Sequence, residues 1–241
     1  MAIAAALMAG IPAMASTLCP GSATQKINDF SGGPGNSITA SSESGPCSTA
    51  ETLTVNPTSD EAKLMWATPG LTFSTLTSID ASVSNVTGIT PYFMLSFSDN
   101  SIAHQSGDEM LFIEFQPNNV VGGNSMPVDP NTTLFNILDN ATEQYYDWNT
   151  GTYQGAGQQV KKSLADWASD LNLGGASINK IEIAEGLSGS CNGACSASVT
   201  VNSVALVTTT PEPGTIVSVA TGLLCLGSGL AFRRRKLVQA V

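Results

Sequence analysis

The sequence contains one histidine, His104, and no arginine before Arg233. Only 12% of its 241 residues are charged, against about 25% in an ordinary soluble domain. Nine basic residues face nineteen acidic ones, a net charge of −10. With so few cations there is no basic footprint to displace counterions, which excludes nucleic acid as a partner. A hydrophobic share of 42% excludes an acidic disordered chain, which needs few apolar residues. Any Ser-His-Asp triad would have to use His104, which falls in the polar stretch Ser101 to Asp108 and reads as surface. No Gly-x-Ser-x-Gly elbow surrounds a candidate serine, and nothing resembles a phosphate cradle, a dinucleotide fingerprint or a twelve-residue calcium loop. No catalytic residue and no metal ligand is assigned.

The two ends are apolar. Ala2 to Met14 is a short apolar block closed by Ala13-Met14-Ala15. This small-residue pattern predicts a signal peptide over residues 1–15, cut before Ser16 by signal peptidase. No basic residue precedes the block, so Met1 is expected to be an internal methionine of a longer start. At the other end, Pro211-Glu212-Pro213 is followed by an uncharged stretch from Gly214 to Phe232 and then by Arg233, Arg234, Arg235 and Lys236. The stretch reaches the about 17–25 residues of a transmembrane helix. The basic cluster places its C-terminal end on the cytoplasmic side.

Sorting motif, apolar span and basic stop, in that order over residues 210–236, resemble the PEP-CTERM sorting signal of exopolysaccharide-producing bacteria. The resemblance implies an exosortase as processing partner and removal of the tail. It also implies anchoring in the cytoplasmic membrane before processing, then residence at the cell surface or in the extracellular matrix. It carries no information about residues 16–209.

Without its ends the chain becomes more acidic. Lys26, Lys63, Lys161, Lys162 and Lys180 face eighteen acids, giving the exported body −13. Cys225 lies in the apolar tail. Cys19, Cys47, Cys191 and Cys195 lie in the body, where export permits disulfides. Four cysteines allow three connectivities. Near-neighbour pairing, Cys19–Cys47 and Cys191–Cys195, is the expectation. A zinc site fails because there is one histidine and the C-x3-C pair has no matching pair.

The body reads as all-β. Short edge strands are expected around Ile27, Phe30 and Ile38, followed by a long strand pair or bent strand from Leu71 to Val86. Further strands are expected at Tyr92–Phe97, Met110–Phe115, Leu134–Leu138, Glu143–Trp148, Ile178–Ala184 and Ser198–Val207. A parity shift predicts a bulge near Asn202-Ser203. One helix is expected from Leu164 to Leu173, capped by Ser163 with Asp166 three residues on and ended by Gly174-Gly175. Many strands and one short helix predict a single antiparallel, jelly-roll-like β-sandwich over 16–209. The closing stretch Val199 to Leu206 resembles the last strand of carbohydrate-binding, galactose-binding-like jelly rolls.

Carboxylate pairs for a glycosidase are available at Asp108-Glu109 with Glu114, and at Glu182 with Glu185. Glu182 alternates with Ile181 and Ile183, so it is expected to face solvent. Ser98-Asp99-Asn100, Asp129-Pro130-Asn131 and Asp139-Asn140 make calcium a candidate cofactor, although Asx turns form such clusters without metal. The ligand-binding candidates are Tyr145, Tyr146, Asp147, Trp148 and Tyr153, where aromatic faces for sugar rings stand beside hydroxyl-fixing polar groups. A plain hairpin turning at Asn149-Thr150-Gly151 explains the same residues. The body is therefore expected to be a non-catalytic cell-surface or extracellular-matrix protein. The alternative is a carbohydrate-binding, lectin-like module acting in exopolysaccharide, with a glycoside hydrolase or lyase behind it.

Overall fold

The computed structural model describes residues 13–30, 35–56, 60–88, 91–98, 111–115, 124–139, 144–147, 152–154, 160–173, 175–186 and 196–209. Residues Ala15–Thr208 form one compact unit. Its strands are β1 (Met14–Leu18), β2 (Thr24–Asn28), β3 (Ser37–Ser42), β4 (Thr49–Val55), β5 (Glu61–Ala67), β6 (Leu76–Thr87), β7 (Tyr92–Ser98) and β8 (Leu111–Phe115). They continue as β9 (Ser125–Val128), β10 (Leu134–Asp139), β11 (Gln144–Asp147), β12 (Thr152–Gln154), β13 (Lys162–Ser163), β14 (Ser177–Gly186) and β15 (Ala197–Thr208). The helix is α1 (Leu164–Asp170).

Two antiparallel sheets enclose the core. The six-stranded sheet runs β3-β4-β15-β6-β9, with β1 paired to β15. The nine-stranded sheet runs β12-β11-β10-β8-β7-β14-β5-β2, with β13 paired to β10. Alternating side chains from both sheets form one cluster: Leu53 and Val55, Ile79 and Val83, Val199 and Val201 from the first, Leu64, Phe93 and Ile183 from the second. Phe73 meets Phe97 edge-on with ring centroids 5.0 Å apart. This is the antiparallel sandwich with one helix that the strand spacing predicts.

Local differences have local causes. The expected Leu71–Val86 strand begins only at Leu76, because Thr75 and Leu76 both donate backbone N–H to the Thr72 carbonyl and close a turn. In β15 the register shifts between Val201 and Ser203, the predicted bulge. A shift in the other sheet, between Ile178 and Lys180 of β14, is held by Thr68, which donates N–H to the Asn179 carbonyl at 3.0 Å and its hydroxyl to the Ile178 carbonyl at 2.7 Å.

Ser163 caps α1 as expected, accepting from the Asp166 N–H at 3.1 Å, while its hydroxyl donates to the Asp166 carboxylate at 2.7 Å. The helix ends before Gly174-Gly175. Asn172 takes a left-handed φ of 56°. Leu173 N–H then bonds the Ala168 carbonyl and Asn172 N–H the Ser169 carbonyl. This is the paired closure of a Schellman end with asparagine in the usual glycine place. Leu164 and Trp167 are buried, and the Trp167 indole donates to the Phe135 carbonyl at 2.9 Å.

Candidate functional site

Cys19 and Cys47 form a disulfide with Cα atoms 5.3 Å apart. It ties the segment after β1 to the start of β4, and the Trp66 indole donates to the Cys19 carbonyl at 2.9 Å. Cys191 and Cys195 lie outside the described residues. So do His104, Asp108, Glu109, Trp148, Pro211, Glu212, Pro213, and the cluster Arg233, Arg234, Arg235 and Lys236. Among the described residues no helix is long and apolar enough to cross a membrane, and the stretch expected to span, Gly214 to Phe232, is not among them. At the other end, β1 runs across the position before Ser16 where cleavage is expected.

The aromatic candidates fall at one end of the nine-stranded sheet. β11 and β12 form the outermost hairpin, with Tyr145 paired to Gln154, Tyr146 to Tyr153 and Asp147 to Thr152. The expected turn at Asn149-Thr150-Gly151 lies outside the described residues. Four of the five candidates, Tyr145, Tyr146, Asp147 and Tyr153, are placed on two adjacent strands.

Sequence reasoning missed a buried ionic network on the side of the same sheet away from the main core. Glu182 does not face solvent: it is 1% exposed. Its strand is flanked on both sides, and the ladder sets it between Met65 of β5 and Met94 of β7. Alternation assigns a residue to a face, but a face can itself be covered. The Lys63 ammonium lies 3.2 Å from Glu182 Oε2 and 3.2 Å from Glu61 Oε2. Ser96 donates to Glu182 Oε1 at 3.1 Å, and Lys180 lies 3.5 Å from that oxygen. Tyr92 donates its hydroxyl to Glu61 Oε1 at 2.9 Å, and Asn28 donates its amide to Glu61 Oε2. The two carboxylates are thus shared by one ammonium, which makes their burial tolerable.

Glu185, the other half of that supposed carboxylate pair, has the opposite parity and is fully buried. Burial pushes its carboxyl up to about 8, only partly offset by a backbone hydrogen bond at Gly186. Glu51 is also raised by burial, against the opposing hydrogen bond of Gln25. Glu182 and Glu185 therefore point to opposite faces of β14 and do not form a glycosidase pair.

The calcium candidate at Asp129-Pro130-Asn131 is an Asx turn. Asn131 N–H donates to Asp129 Oδ1 at 2.8 Å, and Thr133 N–H donates to the Asp129 carbonyl at 2.9 Å. Among the described residues no group of three or more His, Cys, Asp or Glu is placed to hold a metal. Of the other two oxygen-rich turns, Asp99-Asn100 and Asn140 lie outside the described residues. On the outer side of the six-stranded sheet hydroxyls bond across strands, Thr52 to Thr200 at 2.9 Å and Thr87 to Ser198 at 2.9 Å.

Fold and site together define an antiparallel β-sandwich with a buried ionic network and an aromatic hairpin at one sheet edge. No protein-family model matches the chain, and no curated protein matches it. Among solved structures it is similar to a family 11 carbohydrate-binding module from Clostridium thermocellum in complex with a beta-1,3-1,4-mixed-linked tetrasaccharide. That pair has 10% identity over 80% of this chain and 94% of the other, with a TM-score of 0.39. It is also similar to the family 11 module of the cellulosomal cellulase Lic26A-Cel5E of Clostridium thermocellum, at 13% identity, the same coverage and a TM-score of 0.39. The Crh5 transglycosylase in complex with NAG gives 12% identity, 78% and 85% coverage, and a TM-score of 0.24. Likeness at this level assigns this chain neither family nor ligand.

Proposed function

We propose that the chain is an exported, non-catalytic surface or matrix protein whose body binds a glycan through the β11–β12 hairpin. The observation that carries the binding reading is the ladder setting Tyr146 opposite Tyr153 at the outermost hairpin of the nine-stranded sheet. The ladder puts the two tyrosines at one register position, with Asp147 and Trp148 next in sequence after Tyr146, and directly opposed positions suit a paired aromatic unit. Sugar C–H faces stack on such units while a few polar groups fix the hydroxyls. The carboxylates of the sheet centre are committed to Lys63 and Lys180, which argues against a hydrolytic pair there. The Asp129 turn closes on its own hydrogen bonds, and the proposal assigns it no calcium.

Delivery follows from the tail in the same proposal. Pro211-Glu212-Pro213 is the exosortase motif and Arg233 to Lys236 the cytoplasmic stop, after signal peptidase has acted at the other end. A glycan array probed with the protein, with and without calcium, tests the binding reading. Retention lost in Trp148→Ala and Tyr153→Ala, with folding intact, supports it; full retention by both folded variants removes it. Intact mass of protein from the native host tests the tail, since a mature form still carrying Arg233 refutes processing.

A further inference from the structure

Side chains from two neighbouring strands meet on one oxygen. The β2–β5 ladder pairs Lys26 with Lys63 and Asn28 with Glu61. Asn28 and Lys63 are therefore diagonal neighbours on one face, within reach of long side chains. Glu61 Oε2 accepts the Asn28 amide and lies 3.2 Å from the Lys63 nitrogen. A primary amine and a carboxamide are thus held on the same carboxylate. Glu182 Oε2 lies 3.2 Å from the same nitrogen on another side. Water has little access, since Glu61 is 2%, Lys63 7% and Glu182 1% exposed.

We propose that Lys63 and Asn28 condense into an intramolecular amide, a covalent cross-link between β2 and β5. Glu182 takes one proton from the Lys63 ammonium and frees the lone pair on Nζ. Nζ attacks Cγ of Asn28, and a second Nζ proton passes through Glu61 Oε2 to Nδ2 of Asn28. The Cγ–Nδ2 bond breaks, and ammonia departs carrying the proton held by Glu182. One ammonium and one carboxamide become one secondary amide and one ammonium ion, with no oxidant or reductant. Holding amine, amide and both proton carriers together replaces a bimolecular encounter by a local step. Tyr92 is a positioning residue, its hydroxyl fixing Glu61 through Oε1. The product fastens β2, the end strand of its sheet path among the described residues, and end strands are otherwise prone to fraying and to pairing with other chains. This inference stands apart from the glycan reading and uses none of its residues.

Intact mass and peptide mapping of the full chain, expressed without its processing enzymes, test it. The expected mass is lower than that of the oxidised sequence by one ammonia, with a branched peptide joining the Asn28 and Lys63 segments. Asn28→Ala, a change at an edge strand, restores the full mass while circular dichroism stays that of the parent. Glu61→Gln leaves the uncross-linked form predominant. Tyr92→Phe slows the mass shift without changing its end point, which a merely structural role would not do. A parent protein at full mass overturns the proposal. So does an ammonia loss that maps to another asparagine or persists in Asn28→Ala.

Discussion

Gly186 passes so close to Asp60 that a Cβ at Gly186 would lie 1.9 Å from the Asp60 carbonyl oxygen, and its φ is +118°. The contact lies where β14 ends against β5, with Gly186 paired to Glu61. Glycine is required twice here, by the backbone region and by the space.

Gly186→Ala is therefore expected to destabilise the fold by about 3 kcal/mol or more, the upper range for local strain. Gly175 has nothing within 4 Å of its Cβ position and no positive φ. Gly175→Ala should be neutral or stabilising by up to about 1 kcal/mol, through the unfolded chain. Urea denaturation of the two variants checks the contrast.

Stability should fall as pH rises through the range set by Glu185. Its folded-state carboxyl is raised from 4.5 to about 8, so between those values the native state binds more protons than the unfolded chain. One such group gives a slope of about −1.4 kcal/mol per pH unit in that window, levelling above it. Glu185→Gln should remove most of the slope and leave the protein more stable than the parent at pH 9. Glu51, raised in the same direction, should leave a shallower residue of the same sign. Thermal melts across pH decide this; an unchanged slope in Glu185→Gln contradicts it.

Reduction of Cys19–Cys47 releases a loop with a sequence separation of 28. The chain-entropy relation gives roughly 3–4 kcal/mol for a loop of that size. A Cys19→Ala, Cys47→Ala double variant should match the reduced protein in urea midpoint and be insensitive to added reductant.

The cap of α1 carries less. Ser163→Ala removes an acceptor for Asp166 N–H and should cost about 1 kcal/mol. The Schellman end at Asn172 should make Asn172→Gly neutral or slightly stabilising, since glycine takes the left-handed φ at no steric cost.

Much of this architecture was legible in the residues. Tyr92–Phe97 and Ser198–Val207 are β-branched and aromatic runs bounded by turn formers, and both are strands. The bulge at Asn202-Ser203 showed as a parity shift, and the Ser163 cap as a residue pattern. Glu182 was misplaced because period-2 alternation names the face of a strand and not what covers that face. The Lys63–Glu61–Glu182 network depends on β5 lying beside β14, residues far apart in the chain, and no local pattern encodes that pairing. The end of α1 is set by Asn172, two residues before the glycines expected to stop it. Tyr145, Tyr146, Asp147 and Tyr153 fall on two adjacent strands, a placement legible because hairpin partners are near in sequence.

Affinity electrophoresis in gels containing the native host's exopolysaccharide shows whether the body holds a glycan by its edge hairpin. The parent should migrate more slowly there, and a Tyr146→Ala, Trp148→Ala, Tyr153→Ala variant that still melts cooperatively should migrate unretarded. Equal retardation of parent and folded variant, or no retardation of the parent in any polysaccharide tried, would contradict it.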